Sequence, residues 1–162
     1  MHDIKKVEFK DKKQFYNYLN LKLKGLICNE NDWLANLSNT AALLWLLLDD
    51  INWVGFYLYK NNELVLGPFQ GKPACTHIEI GKGVCGRAAS EMKTQVVKNV
   101  NEFPGHIACD SSSKSEIVVP IIQDNRLKGV LDIDSPIFSR FEEEDKECFE
   151  KFIDVFNEYV KL

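Results

Sequence analysis

The chain has 162 residues, 45% of them hydrophobic and 27% charged, with a formal net charge of -4 and a sequence pI of ≈ 5.4. That length fits one domain around a single sizeable core, and the composition is that of a globular chain, not a disordered one. An acidic balance supplies no basic face to displace counterions, which argues against nucleic acid as a partner.

The N-terminal "MHDIKKVEFKDKKQF" lacks the apolar core of a secretory signal. The most apolar run, "AALLWLLLDDI", meets Asp49 and Asp50 too early to span a bilayer. The expectation is a cytoplasmic protein with no membrane partner. Helical spacing of Phe15, Tyr18, Leu19 and Leu23 predicts a first helix from Asp11 to about Leu26, and Asn31 or Asp32 offers the cap of a second helix running through Leu48. From Ile51 the pattern changes to period two, and "INWVGFYLYKNNELVLGPF" reads as a hairpin turning at Asn61-Asn62. Residues 70–83 read mostly as loop, Gly83 to Met92 as a short helix, Thr94 to Val97 as a short strand, and Asn99 to Ser113 as another loop. "EIVVPII" and "LKGVLDIDS" flank "QDNR" as a second hairpin. A closing helix follows, with Ser139 as its cap and Phe149, Phe152, Ile153 and Phe156 along one stripe. This order predicts an α+β domain around a mostly antiparallel sheet. Neither Walker spacing nor a dinucleotide fingerprint surrounds "GKGVCG".

The candidate chemistry lies in acids, thiols and aromatic rings. Asp132 and Asp134, two apart on a strand, share a face, while Leu131 and Ile133 point to the other. If the second hairpin turns through three residues, Asp124 to Arg126, then Glu116 lies directly opposite Asp134 and three acids converge. Crowded carboxylates raise one another's pKa, so one of them can serve as a general acid. The competing reading puts these acids on a solvated sheet face.

The five cysteines are an odd number, and in a reducing compartment they read as free, metal-bound or catalytic. Cys28 and Cys148 read as packing or idle thiols. Cys75, Cys85 and Cys109 fall in the loop-rich centre, where function concentrates. Cys75 with His77, and His106 with Cys109, offer zinc-ligand pairs, but C-x-x-C spacing is missing, and no metal or other cofactor is assigned. Trp53 and Tyr57 share a strand face with Gly55 between them. They form either core or the apolar wall of a small-molecule pocket.

The stretches "ANLSNTAALLW", "DINWVGFYLY", "LGPFQGKPACTHIEIGKGVCGRAA", "FPGHIACDSSSKSEIVVPI" and "GVLDIDSP" closely resemble the free methionine-(R)-sulfoxide reductases, a family of single GAF domains. The resemblance implies one GAF domain over residues 1–162, with N- and C-terminal helices packed on one sheet face and active-site loops on the other. It implies a cytoplasmic homodimeric enzyme that reduces the R epimer of free methionine sulfoxide with electrons from thioredoxin. By motif, Cys109 corresponds to the thiol that attacks the sulfoxide, Cys75 to the resolving thiol, and Cys85 to an alternative partner. Glu116, Asp132 and Asp134 correspond to residues that hold substrate and supply protons, and Trp53 and Tyr57 to the methyl pocket. The other reading is a GAF module that senses a small molecule or redox state without catalysis. Such a sensor is normally joined to an output domain, for which 162 residues leave no room.

Overall fold

The computed structural model describes residues 4–105 and 111–162. Two helices, α1 (Lys12–Ile27) and α2 (Trp33–Leu47), lead into the strands β1 (Trp53–Lys60), β2 (Glu63–Gly71) and β3 (His77–Glu79). Helix α3 (Gly83–Glu91) and strand β4 (Gln95–Val97) precede the pair β5 (Ser115–Gln123) and β6 (Arg126–Ser135), and α4 (Glu143–Tyr159) closes the chain. The strands form one sheet in the order β3-β2-β1-β6-β5-β4, and each neighbouring pair is antiparallel. This is the α+β arrangement expected, with one strand more: β3 lies inside the stretch read as loop. Three residues are too few to show a period of two, but the central one, Ile78, is buried between two exposed neighbours.

Both hairpins turn on two residues with positive φ, Asn61 and Asn62 in the first and Asp124 and Asn125 in the second. Asn and Asp tolerate that backbone region better than other side chains, and its twist suits the flanking strands. The second turn is therefore one residue shorter than expected, with Gln123 opposite Arg126. A bulge at Lys128, between the pairs Ile122–Leu127 and Ile121–Gly129, restores the missing residue. Glu116 consequently faces Asp134 after all.

One sheet face is covered by α1, α2 and α4. Leu19, Leu23, Leu37, Leu44, Phe149, Phe152 and Phe156 pack there against Val54, Phe56, Ile117, Val119, Leu131 and Ile133. The opposite face carries α3 and a smaller apolar cluster. Asp11 and Asp32 cap α1 and α2 by accepting from the backbone N–H of Gln14 and Ala35, each at 2.8 Å. The last helix starts later than expected. Ser139 is not its cap: it has φ of 55° and donates its N–H to the Lys98 carbonyl at 2.9 Å, and Glu142 takes the N-cap position.

Asp145, in the first turn of α4, is 1% exposed. It accepts from the Tyr16 hydroxyl at 2.6 Å, from Lys12 Nζ at 2.9 Å and from the Glu142 N–H at 2.9 Å, tying α1 to the start of α4. Burial opposes its charge, but these bonds outweigh that effect and hold its pKa below the ordinary carboxylate range. Asp145→Ala is expected to lower stability by about 1.5–3 kcal/mol at neutral pH, the scale of hydrogen bonds to a charged group. Because the folded-state pKa is depressed, the wild-type advantage is complete above the unfolded carboxylate pKa. It disappears as pH falls through the lower folded value, which urea melts at neutral and acid pH will show.

Candidate active site

The register places the chemistry on the α3 side of the sheet. Trp53 pairs with Asp134 and Gly55 with Asp132 across β1 and β6, while Glu116 pairs with Asp134 and Val118 with Asp132 across β5 and β6. Alternation then points Trp53, Tyr57, Glu116, Asp132 and Asp134 to one face. Helix α3 lies over them and lowers Val84 and Cys85 into the gap.

Glu116 and Asp132 are 5% and 6% exposed, so the solvated-face reading fails for these two; Asp134 is half-buried. The Cys85 Sγ lies 3.9 Å from Glu116 Oε1, and one ligand atom from each of Cys85, Glu116 and Asp132 falls within 4.8 Å of the others. Burial first, then the charges of Asp132 and Asp134, push the Glu116 pKa well above that of a free carboxyl. Asp132 is also raised by burial, but hydrogen bonds to Cys85 and Glu116 limit the rise to about 6. Both carboxyl groups are thus pushed toward the protonated form, which suits the pair to hold and donate a proton. Burial and the neighbouring acids likewise push the Cys85 thiol well up.

The aromatic residues do more than the sequence suggests. Trp53 stacks on Phe69 at 5.3 Å and on Tyr57 at 5.8 Å between ring centres. Gly55 makes this possible, because a Cβ there would lie 2.3 Å from Phe69 Cβ and 2.7 Å from the Trp53 ring. The polar tips then hold main chain: Trp53 Nε1 donates to the Lys72 carbonyl at 3.1 Å and the Tyr57 hydroxyl to the Cys75 carbonyl at 3.0 Å. The segment Lys72 to Cys75 is thus fixed along the rim of a cavity of ≈ 40 Å³, between the acids below and α3 above.

Cys75 is disulfide-bonded, whereas Cys28, Cys85 and Cys148 are free. The expected nucleophile Cys109 lies outside the described residues, as does His106. Beyond them, Ser113 is buried at the cavity edge, where its hydroxyl accepts from Asn52 Nδ2 at 3.0 Å. His77 does not join Cys75 as a ligand pair; it is exposed on β3 with Nδ1 2.9 Å from Glu63 Oε1. Cys28 is exposed at the end of α1, and Cys148 packs half-buried against the helical core.

Sequence reasoning did not single out Ile78, Val84 or Lys82, all of which line the cavity. Ile78 lay in an apparent loop, and Lys82 carries only the weak signal of "GKG" before a helix. Burial and a raised pKa predict slow alkylation of Cys85, since each unit of upward shift removes about tenfold of the reactive thiolate. Iodoacetamide labelling followed by mass spectrometry should modify Cys28 in native protein and Cys85 only after denaturation.

Comparison with known proteins agrees with this arrangement. The GAF domain family model matches residues 33–157. The free methionine-R-sulfoxide reductase of Escherichia coli K12 is 49% identical over 143 residues, covering 88% of this chain and 87% of that protein. The reduced form of the Staphylococcus aureus fRMsr superposes with a TM-score of 0.87 at 57% identity, covering 89% of this chain and 94% of that one. The Neisseria meningitidis free methionine-R-sulfoxide reductase, solved with its substrate, gives 0.93 at 42% identity and covers 98% and 95% of the two chains. Fold, register and likeness over nearly the whole length converge, and the chain belongs to the free methionine-R-sulfoxide reductase family of GAF-domain proteins.

Proposed function

We propose that residues 1–162 work as one GAF domain that reduces free L-methionine (R)-sulfoxide to methionine, with Cys109 as nucleophile and thioredoxin as reductant. The observation that carries this reading is the buried pair of Glu116 and Asp132, both with raised pKa, under an aromatic wall and beside the Cys75 segment. Sulfoxide oxygen is a poor leaving group until it is protonated, and a carboxyl kept neutral by burial is a suitable donor.

In the proposed sequence the Cys109 thiolate attacks the substrate sulfur, and Glu116 delivers its proton to the oxygen. Oxygen passes to the cysteine as sulfenic acid while the substrate sulfur is reduced to the thioether and methionine leaves. The Cys75 thiol then attacks the sulfenic sulfur, water departs, and a disulfide forms. A thioredoxin dithiol reopens it by exchange and takes the disulfide into itself. The disulfide state of Cys75 supports its resolving role. Cys85, buried and protonated, suits a secondary thiol that joins only after its neighbours move.

Asp132 and Asp134 hold the substrate ammonium, and Trp53 and Tyr57 border the S-methyl group. Backbone N–H groups from Ser111 to Ser113 receive its carboxylate. Enclosing both charged ends excludes a methionine sulfoxide within a polypeptide. No helix among the described residues is long and apolar enough to cross a membrane, and we place the enzyme in the cytoplasm, where thioredoxin keeps dithiols reduced. Exposed Leu34 and Trp45, in line along α2 with the small residues Ser38 and Ala42 between them, supply the apolar stripe of a homodimer contact.

The deciding experiment follows NADPH consumption by thioredoxin reductase, thioredoxin and the protein with each epimer of free methionine sulfoxide. Consumption with the R epimer and its loss in Cys109→Ser are expected; equal rates with both epimers, or an active Cys109→Ser protein, refute the assignment. Glu116→Gln should lower kcat by about 10²–10⁴-fold, the range for losing a general acid. In wild type, KM for the sulfoxide should fall as pH rises through about 6, because Asp132 loses its proton there and gains the charge that holds the ammonium. A KM independent of pH across that range would remove Asp132 from substrate binding.

A further inference from the structure

The cluster beneath α3 has the composition of a metal site as well as of a proton donor. Cys85 offers Sγ, Glu116 and Asp132 each offer a carboxylate oxygen, and the three atoms lie within 4.8 Å of one another on buried side chains. A tetrahedral zinc ion with bonds of about 2.0–2.3 Å needs its ligands closer, about 3.3–3.8 Å apart, so each side chain must move by no more than about 1 Å.

An independent observation points the same way. Asp132 is only 6% exposed and lines the cavity, and, while its carboxyl group bonds to Cys85 and Glu116, its Oδ1 has no hydrogen-bond partner among the described residues. A buried carboxylate oxygen left without a donor is costly, and a cation would satisfy it. Tyr57 from β1, Asp134 from β6 and Lys82 at the start of α3 also line the space, which leaves room for a water as fourth ligand.

We propose that Cys85, Glu116 and Asp132 of the reduced protein bind one thiophilic divalent cation of the zinc class, and that the bound ion inhibits the enzyme. A thiolate with two carboxylates favours zinc or cadmium over magnesium or calcium, which prefer all-oxygen cages. Binding replaces the hydrogens on Cys85 and Glu116, which leave as protons; no electron is transferred. The ion then occupies the groups that otherwise hold and protonate substrate. Binding itself is independent of the reductase reading, whereas inhibition rests on it.

The test uses the full chain, freed of disulfide with a reductant that is then removed, and a Cys75→Ser/Cys109→Ser double variant that lacks the competing thiols. Zinc affinity is measured against a chromophoric chelator, and cadmium is added to look for the ultraviolet thiolate-to-metal band. One ion per chain and the thiolate band are expected in both proteins. Cys85→Ala and Asp132→Asn, each checked for folding by circular dichroism, should each weaken zinc by at least the roughly 10–100-fold that even indirect changes around a metal cause. Loss of binding in the double variant, unchanged affinity in folded Cys85→Ala or Asp132→Asn, or no binding by reduced wild type overturns the site. These readouts need no turnover, so they hold even if the substrate assignment fails. Where turnover is present, saturating zinc that leaves it unchanged overturns the inhibitory role.

Discussion

Two carboxyl groups kept side by side out of water cannot both be ionised, and much of the α3 side of this sheet follows from that constraint. Glu116 and Asp132 lie buried beneath a helix with a third acid, Asp134, beside them, and burial raises the pKa of both. The same burial that raises the Glu116 pKa also raises that of the Cys85 thiol. One desolvated environment thus acts on two carboxyl groups and a sulfur together.

The opposite face has no such conflict and supplies the stability to support it. Aromatic side chains of α4 and leucines of α1 and α2 fill a large apolar core against the sheet. The charge buried there, Asp145, has several donors, and its pKa moves down where that of Glu116 moves up. The contrast between these acids is one of partners more than of depth: Tyr16, Lys12 and a backbone N–H surround one, and other acids surround the other.

Much of this was legible in the chain. Period-two patterning located four of the strands, and the face shared by Asp132, Asp134 and Glu116 followed from alternation, although the expected turn was one residue too long. A two-residue turn and a compensating bulge at Lys128 give the same alignment, and neither has a strong sequence signal of its own. The start of α4 was misread because Ser139 has the chemistry of a cap, while the backbone at Glu142 has the geometry for it. What patterning did not reveal was contact across the fold: the aromatic stack on Phe69, the arrival of Ile78 on a short edge strand, and the closeness of Cys85 to the acids. Those depend on where separate elements meet, which a local period does not encode.

Trp53 and Tyr57 grip the Lys72 to Cys75 segment by its carbonyl oxygens. A carbonyl is present whatever residue carries it, so the grip is indifferent to the side chains of Lys72, Pro73 and Ala74 as long as the backbone can follow the same path. The position of the thiol is thereby separated from the chemistry of the rim. The rim can change its charge or bulk while the sulfur stays in place, which makes these three positions a natural ground for variation.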